Sequence, residues 1–237
     1  MLDLQELDAR ADQLRHQRSH LPELAEIEQL VATRTDADNR ARDARIVVDD
    51  LTEEQAKIDA DVEQARTRRT RDQERVDQGE ISHPKDLQHM LSELESLQRR
   101  ITTLEDQELE VMEQVETAQR ELDALTVDVG AADERLGVLT TSRDEKTVAI
   151  DRELATVAEE RAPIADGLPA PLLALYEKLR TLKGGVGAAP LRARTCGGCQ
   201  LSLDPSELAQ IKAAGSDEVI RCEECQRILV RTGESGL

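Results

Sequence analysis

The sequence predicts a mainly α-helical fold in which a long antiparallel coiled-coil hairpin precedes a small β-rich C-terminal domain. Three observations lead to this prediction. Apolar residues recur at alternating spacings of three and four through most of residues 1–163, which is the pattern of a coiled-coil seam. One strong helix-breaking interval, near residues 77–86, interrupts this pattern between Pro22 and Gly130. The four cysteines of the 237-residue chain all lie within residues 190–237.

The helix-breaking interval contains Gly79 and Pro84. Glycine is conformationally loose, and proline lacks the amide hydrogen and disfavours α geometry in the residue before it. We therefore place the tip of the hairpin here. If Val76 lies opposite Leu87, residues that face each other across the hairpin have numbers that sum to about 163.

Both helices of the hairpin carry an apolar seam, and the second seam is the clearer one. It has seventeen apolar residues at twenty-one positions, namely Leu87, Met90, Leu94, Leu97, Ile101, Leu104, Glu108, Val111, Val115, Ala118, Leu122, Leu125, Val129, Ala132, Leu136, Leu139, Arg143, Lys146, Ile150, Glu153 and Val157. The sum of about 163 places Glu108 opposite Gln55, the polar break in the first seam, and Pro22 within one turn of the level of Gly137. These agreements favour an intramolecular hairpin over parallel association of separate chains. They also predict a bend near Pro22 and Gly130–Gly137.

We expect the hairpin to occupy residues 1–163 and a linker with one short amphipathic helix to occupy residues 164–189. Three prolines and a glycine within residues 161–171 favour an irregular linker. The helix is predicted from Pro171 to Lys183 and is expected to pack the base of the hairpin against the next domain. Its apolar side comprises Leu172, Leu175, Tyr176, Leu179 and Leu182.

The C-terminal domain, residues 190–237, contains two Cys-x-x-Cys pairs, Cys196 with Cys199 and Cys222 with Cys225. Each pair can place two thiolates on one metal ion, and two pairs complete the tetrahedral shell that Zn²⁺ favours. We therefore predict a zinc ribbon with one zinc ion, which is structural because four thiolates leave no open coordination position. Redox dithiols are the alternative, but the βαβ context of thioredoxin-like sites is absent.

Short segments around the cysteines have strand character, and one helix is predicted between the two pairs. The expected strands are residues 191–195, 200–203, 219–221 and 228–231. Asp204 is the expected N-cap, with Pro205 in the first helical position and Glu207 in the third, and Gly215 ends the helix.

Composition and motifs restrict the function. The net charge of −19 argues against nonspecific binding of nucleic acid or acidic membrane by the molecule as a whole. No apolar run approaches membrane-spanning length, so we expect a cytoplasmic protein. The sequence contains no Ser-His-Asp set, phosphate-binding glycine loop or His-Glu-x-x-His motif, and we predict that the protein is not an enzyme.

The chain resembles a family of bacterial proteins made of a long coiled-coil hairpin followed by a four-cysteine zinc ribbon. The resemblance is carried by Leu172–Arg180, Cys196–Leu203 and Ile220–Leu229, together with Pro84–Leu87 at the tip. It implies that the four cysteines bind zinc. It also implies an adaptor or chaperone-like role, since relatives in flagellated bacteria bind an alternative sigma factor and a flagellin messenger RNA. Two residues depart from the family pattern: Gln226 stands where glycine is usual after the last cysteine, and Val230 where an aromatic residue often follows.

The predicted function is that of a non-enzymatic adaptor, in which the zinc ribbon is a recognition head on a rigid coiled-coil arm. The candidate partner contacts are Arg192, Arg194, Arg221 and Arg227 in the head and Asp77, Glu80 and Lys85 near the tip. A basic strip near the base of the head could bind phosphates of RNA or DNA, and it comprises Lys178, Arg180, Lys183, Arg192 and Arg194. A protein partner is favoured because the ribbon has no aromatic residue on which bases could stack.

Two alternatives stay open at this point. A transcription factor could contact RNA polymerase through the acidic tip, where Asp77 and Glu80 would influence a catalytic Mg²⁺. Alternatively, the chain is a structural spacer that scaffolds an assembly.

Overall fold

The computed structural model describes residues 1–237 and confirms the predicted fold class. It contains five α-helices and three short strands: α1 (Leu2–Ser19), α2 (Pro22–Asp77), α3 (Pro84–Asp166), α4 (Ala170–Leu182), β1 (Ala188–Arg192), β2 (Thr195–Cys196), α5 (Pro205–Ala213) and β3 (Ile228–Val230). The chain divides into two compact units, residues 26–139 and residues 1–25 with 140–237. None of the helices combines the length and apolar character needed to cross a bilayer.

The turn between α2 and α3 lies where the helix-breaking residues predict it. Gly79 adopts a left-handed conformation with a φ of 71°, which glycine reaches without steric cost. Pro84 is the first residue of α3, a position where its missing amide hydrogen costs nothing. The tip predicted near residues 77–86 is therefore a turn between Asp77 and Pro84.

Ion pairs between α2 and α3 in the unit of residues 26–139 confirm the antiparallel register. The numbers of the paired residues sum to between 161 and 171, close to the expected 163, and the pairs are Glu26–Arg135, Arg34–Asp133, Arg66–Glu105 and Arg68–Glu93. The seam between the helices is buried at Val62, Leu97, Ile101 and Leu122, among others. Gln55 and Glu108, the predicted polar breaks, are both half-buried.

The first helix is interrupted at Pro22, as predicted. Helix α1 ends at Ser19, and α2 begins at Pro22, because proline cannot donate the hydrogen bond that a continuous helix would require. Helix α3, by contrast, remains helical through Gly130 and Gly137. The expected weakness at these glycines therefore produces no break in α3.

The predicted seam is only partly correct near the C-terminal end of α3, where Val157 is buried and Ile150 half-buried but two other predicted positions are not. Lys146 and Glu153 are exposed, whereas their neighbours Thr147 and Leu154 are half-buried. Leu154 packs against a cluster formed by Ala11, Leu14 and Val157, together with other apolar residues. The prediction continued the same three-and-four spacing along all of α3. Opposite the break at Pro22, however, α3 packs against α1 instead of α2, and a different set of its residues faces the partner helix.

Helix α3 also extends further than predicted, so the predicted domain limit at residue 163 falls inside it. Pro163 lies in its last turns, and the non-helical connection to α4 is only Gly167–Pro169 rather than residues 161–171. Burial explains the extension: Ala165 belongs to the same apolar cluster as Leu4 and Tyr176. This burial offsets the single helical hydrogen bond that Pro163 cannot donate.

The first strand begins earlier than predicted, and the β-rich region contains less strand than predicted. Strand β1 starts at Ala188, inside the predicted linker, and lies between β2, which is antiparallel to it, and β3, which is parallel. The predicted strands at 200–203 and 219–221 form only single bridges, Thr195 with Ser202 and Arg221 with Ile228. Helix α5 is confirmed, and the Asp204 carboxylate accepts hydrogen bonds from the backbone amides of Ser206 and Glu207.

Candidate metal centre

The four cysteines converge on one point of the β-rich domain. Their sulfur atoms all lie within 4.8 Å of one another. The Sγ atoms of Cys196 and Cys225 are 3.8 Å apart, and those of Cys199 and Cys222 are 3.9 Å apart. A tetrahedral zinc site with Zn–S bonds of about 2.3 Å has S–S edges of about 3.8 Å. Two of the six S–S edges already have this length, and the four thiols, which form no disulfide, lie close enough together to hold one zinc ion.

The two Cys-x-x-Cys pairs use the same local turn. The backbone amide of Gln200 donates to the carbonyl of Cys196 at 2.8 Å, and that of Gln226 donates to the carbonyl of Cys222 at 2.8 Å. Both glutamines have a φ of 63°, a left-handed conformation in which glycine is the usual residue. The glutamine at position 226 is thus accommodated in the geometry that the family pattern assigns to glycine.

Burial and hydrogen bonding act in opposite directions on the thiols. Burial raises the pKa of Cys222 to about 12 and also raises the pKa of Cys196. At Cys225 burial opposes ionisation, but hydrogen bonds from the backbone and side chain of Arg227 and from the neighbouring cysteines lower the pKa to about 7. Four thiolates in one small volume repel one another, so a bound dication is what keeps all four ionised.

A small apolar core surrounds the metal centre and connects it to α5. Leu191, Leu203, Ile211 and Leu229 pack around the buried Cys196 and Cys222. Glu207 of α5 is buried, and its carboxylate accepts a hydrogen bond of 3.2 Å from the backbone amide of Glu223, inside the second Cys-x-x-Cys pair. The sequence pattern identified Glu207 only as a residue of the first helical turn.

The four arginines predicted as partner contacts have two different roles. Arg227 is half-buried and donates to the backbone carbonyls of Lys183, Val186 and Gly198, so its side chain holds the end of α4 against the first Cys-x-x-Cys pair. The other three are exposed at the surface: Arg192 pairs with Glu234 at 3.2 Å, Arg194 donates to the carbonyl of Gly236 and Arg221 to that of Gln226.

The predicted tip residues are exposed and make local contacts. Asp77 accepts a hydrogen bond from the side chain of Gln73 at 2.9 Å, and Glu80 lies 3.5 Å from Arg75. The backbone amide of Lys85 donates to Nδ1 of His83. These residues lie in or directly beside the turn between α2 and α3 and not at the metal centre.

Two polar residues of α1 that no sequence motif identifies attach the β-rich domain to the helices. The Gln5 side chain accepts from the backbone amides of Gly187 and Ala188 and donates to the carbonyl of Gly185, at distances of 2.7–3.2 Å. Asp8, only 2% exposed, accepts from the Tyr176 hydroxyl at 2.7 Å and from the guanidinium of Arg161 at 2.8 Å. Both glutamine and aspartate are common on exposed helix surfaces, so residue type alone does not predict this network.

Comparisons with known proteins agree with both parts of the structure. Residues 4–184 match the CT398-like coiled coil hairpin domain, and residues 195–229 match the C4-type zinc ribbon domain. Neither description is that of an enzyme family.

Similarity to individual proteins extends over nearly the whole chain. An uncharacterised protein of Mycobacterium tuberculosis strain H37Rv is 36% identical over 240 residues, covering 98% of this chain and 94% of the relative. A solved structure from Mycobacterium smegmatis is 34% identical with a TM-score of 0.82, covering 97% of this chain and 94% of the other. The structure of CT398 from Chlamydia trachomatis shares the fold at 18% identity, with a TM-score of 0.70 and coverage of 98% and 95%. The chain therefore belongs to the CT398-like family of coiled-coil hairpin proteins, with a C-terminal C4-type zinc ribbon that binds one zinc ion.

Proposed function

We propose that the protein is a non-enzymatic cytoplasmic adaptor whose zinc ribbon is the recognition head for a protein partner. The observation that carries this proposal is the closed set of four thiols at tetrahedral spacing. Because every zinc coordination position is filled by the chain, the metal stabilises a surface rather than reacting with a substrate. The function of the ribbon then lies in the residues exposed around the metal.

The exposed surface of the ribbon favours a protein partner over a nucleic acid. It combines the basic residues Arg192, Arg194 and Arg221 with the apolar side chains of Leu201 and Val219, which are 51% and 44% exposed. The only aromatic residue of the chain, Tyr176, is completely buried, so no ring is available for base stacking. Arginine with neighbouring apolar surface is typical of protein interfaces.

The attachment of the ribbon supports a head with a fixed orientation on α1 and α4. Gln5 binds the start of β1, Arg227 binds the end of α4, and the apolar cluster of Leu4, Tyr176 and Ile228 lies between them. A recognition surface held in one orientation loses less entropy on binding than a mobile one.

No specific contact favours the alternative of an acidic tip acting on RNA polymerase. Asp77 and Glu80 already have partners near the end of α2, and no third acidic group lies with them in a cluster that could hold a metal ion. The spacer alternative differs from the adaptor in one respect that can be measured: a spacer needs no partner at the ribbon surface.

The test is affinity purification of the tagged full-length protein from its native cells, with co-purifying proteins and RNA scored in parallel. The decisive variant is Arg192→Glu with Arg194→Glu and Arg221→Glu, which leaves all four cysteines in place. The matched control reverses three exposed arginines of the hairpin, Arg42, Arg45 and Arg120. We expect a protein retained by wild type and control to be lost from the head variant and from Cys222→Ser with Cys225→Ser. Retention of the same partners by both head variants would contradict the adaptor proposal.

A further inference from the structure

The negative charge of the chain is concentrated in one part of the hairpin. Residues 26–62 contain eleven acidic and five basic residues, and residues 101–139 contain eleven acidic and two basic residues. These two segments therefore hold −15 of the net charge of −19, whereas residues 63–100, with eight acidic and eight basic residues, are neutral. Within the neutral segment the basic residues are almost all arginines, clustered in residues 66–75 and at Arg99 and Arg100.

Part of this arginine cluster lines a groove between α2 and α3. The groove has a volume of about 550 Å³, and its guanidinium groups come from Arg68, Arg71 and Arg100. Arg100 forms no ion pair, Arg71 has only Asp72 at 3.4 Å, and Arg68 pairs with Glu93 at 2.6 Å and with Asp72 at 3.7 Å. The rest of the lining is polar or small and apolar, with acidic residues at one end: Asp61, Glu63, Gln64, Ala65, Thr67 and Leu97. The groove therefore offers the unpaired guanidinium of Arg100, together with N–H groups of Arg68 and Arg71 that their acidic neighbours do not occupy, to a carboxylate or another anion.

An acidic patch lies further along the same side of the hairpin. Glu54 precedes Arg68 by fourteen residues and Asp50 precedes Arg71 by twenty-one, and whole heptads keep residues on one side of a coiled-coil helix. On α3, Glu110 follows Arg100 by ten residues. This spacing equals one heptad plus a three-residue step, so the two residues lie on the same side of α3. All three acidic side chains are exposed and none forms an ion pair with a basic residue of this chain. We call Asp50, Glu54 and Glu110 the acidic patch and Arg68, Arg71 and Arg100 the arginine groove.

We propose that the arginine groove binds the acidic patch of a second copy of this chain, so that two hairpins associate antiparallel through residues 26–139. A two-fold axis makes such an interface self-complementary, since each copy supplies one groove and one patch. The two features lie about 18 residues apart along α2, or about 27 Å at the rise of an α-helix, and reversing one copy brings both pairs into contact at once. Arginine and carboxylate are well matched for bidentate hydrogen bonding.

The surroundings of the groove favour this occupant over a nucleic acid. A nucleic acid running along the hairpin would leave the groove past Asp61 and Glu63 and enter the segments that hold the −15 charge. It would also find no aromatic ring on which to stack. The second copy, in contrast, supplies discrete carboxylates. At physiological salt charges further apart than about 8 Å are screened, so the local pairs rather than the net charges decide the contact.

The first measurement is sedimentation equilibrium of the full-length, zinc-loaded protein in about 50 mM and about 500 mM sodium chloride, for which the screening lengths differ about threefold. We expect a monomer–dimer equilibrium that is at least about tenfold weaker at the higher salt. A wild-type protein that stays monomeric at about 100 μM in the lower salt overturns the proposal. RNA or an unrelated acidic protein that binds the groove of such a monomer would identify a different occupant.

The second measurement uses charge reversal on both sides of the contact. Arg68→Glu with Arg71→Glu and Arg100→Glu, and separately Asp50→Lys with Glu54→Lys and Glu110→Lys, should each lose dimerisation by at least about tenfold. An equimolar mixture of the two variants should form a heterodimer, because both contacts then join opposite charges again. Arg45→Glu with Arg99→Glu and Arg120→Glu makes the same charge change outside the groove and should dimerise like wild type. Dimers that survive both reversals, or reversed variants that fail to pair while remaining helical by circular dichroism, overturn the proposal.

Discussion

The unit that contains the zinc ribbon and the unit of residues 26–139 are stabilised in different ways. In the first, ionic groups are removed from water: Asp8 is buried against Arg161, Arg180 and Tyr176. In the second, the helices share a narrow apolar seam, and most ion pairs beside it, such as Arg34–Asp133, remain substantially exposed. Asp72, which is buried beside Arg68 and Arg71, is the exception. Exposed pairs contribute little to stability, whereas breaking a buried one leaves an uncompensated charge. Similar ion pairs therefore should differ widely in their effect on folding.

The largest effect should come from removal of zinc, and it should be confined to one unit. Metal binding contributes about 10–16 kcal/mol of apparent folding free energy in small zinc modules. Chelation, or Cys222→Ser with Cys225→Ser, should unfold residues 188–230, because few apolar residues besides the cysteines form their core. Hydrogen exchange measured by mass spectrometry should show lost protection there and unchanged protection in residues 26–139. Protection of the ribbon that persists without metal would contradict a metal-dependent fold.

The next largest effect is expected at Asp8. Asp8→Ala should destabilise the protein by about 3 kcal/mol, because it leaves Arg161, Arg180 and the Tyr176 hydroxyl without their shared acceptor. Asp3 is the matched control, since it is an exposed acidic residue on the same helix, and Asp3→Ala should change the unfolding free energy little. The unfolding free energies of both variants are measured by urea unfolding, with the protection of residues 1–25 from hydrogen exchange as the signal. Equal effects of the two substitutions would show that burial does not distinguish this ion pair from the exposed ones.

The same network predicts a pH dependence that the hairpin pairs should not share. Burial raises the pKa of Asp8, but hydrogen bonds from Arg161 and Tyr176 and the charge of Arg180 outweigh it, so the pKa lies below its ordinary value. A carboxylate with a lowered folded-state pKa stabilises the protein above its unfolded pKa of about 4, and this stability is lost as the pH falls through the folded-state value. At alkaline pH, burial and Asp8 raise the pKa of Tyr176, so its contribution is lost above about pH 10.

Unfolding free energies measured between about pH 2 and pH 6 test this dependence. Asp8→Asn should be less stable than wild type at neutral pH and should show a smaller loss of stability on acidification. A variant whose acid dependence equals that of wild type would assign the loss to other carboxylates.

The sequence predicted the features that depend on periodicity or on residue type, and it failed where packing decides. The tip at Gly79 and Pro84, the break at Pro22, the cap at Asp204 and the four zinc ligands follow from local chemistry. The end of α3 did not follow, since the helix passes Pro163 in order to bury Ala165. Neither did the roles of Gln5 and Asp8, because their partners lie more than 150 residues away in the chain. Long-range burial of polar groups leaves no periodic signal in one sequence.

A smaller effect, of opposite sign, is expected at the left-handed glutamines of the zinc ribbon. Gln226→Gly should stabilise the ribbon by about 0.5–1 kcal/mol, because glycine adopts a positive φ without the steric penalty that a Cβ brings. The matched control is Gln210→Gly on the exposed surface of α5, where the added backbone freedom should destabilise by about 1 kcal/mol. Competition for zinc with a chelator gives the relative stability of both variants. A loss of zinc affinity in Gln226→Gly would mean that its side-chain hydrogen bond to the Glu223 carbonyl matters more than the strain.

The smallest effect is expected at the exposed pair of Arg34 and Asp133, which has bond distances similar to those of the Asp8 pairs. Its guanidinium lies 3.0 Å from the carboxylate, yet the two side chains are 35% and 51% exposed. Water and salt compete for both groups, so the coupling energy from a double-mutant cycle of Arg34→Ala and Asp133→Ala should be within measurement error at physiological salt. The corresponding cycle of Arg161→Ala and Asp8→Ala should give a clearly measurable coupling. If the exposed pair coupled as strongly as the buried one, distance rather than removal from water would control the strength of ion pairs in this protein.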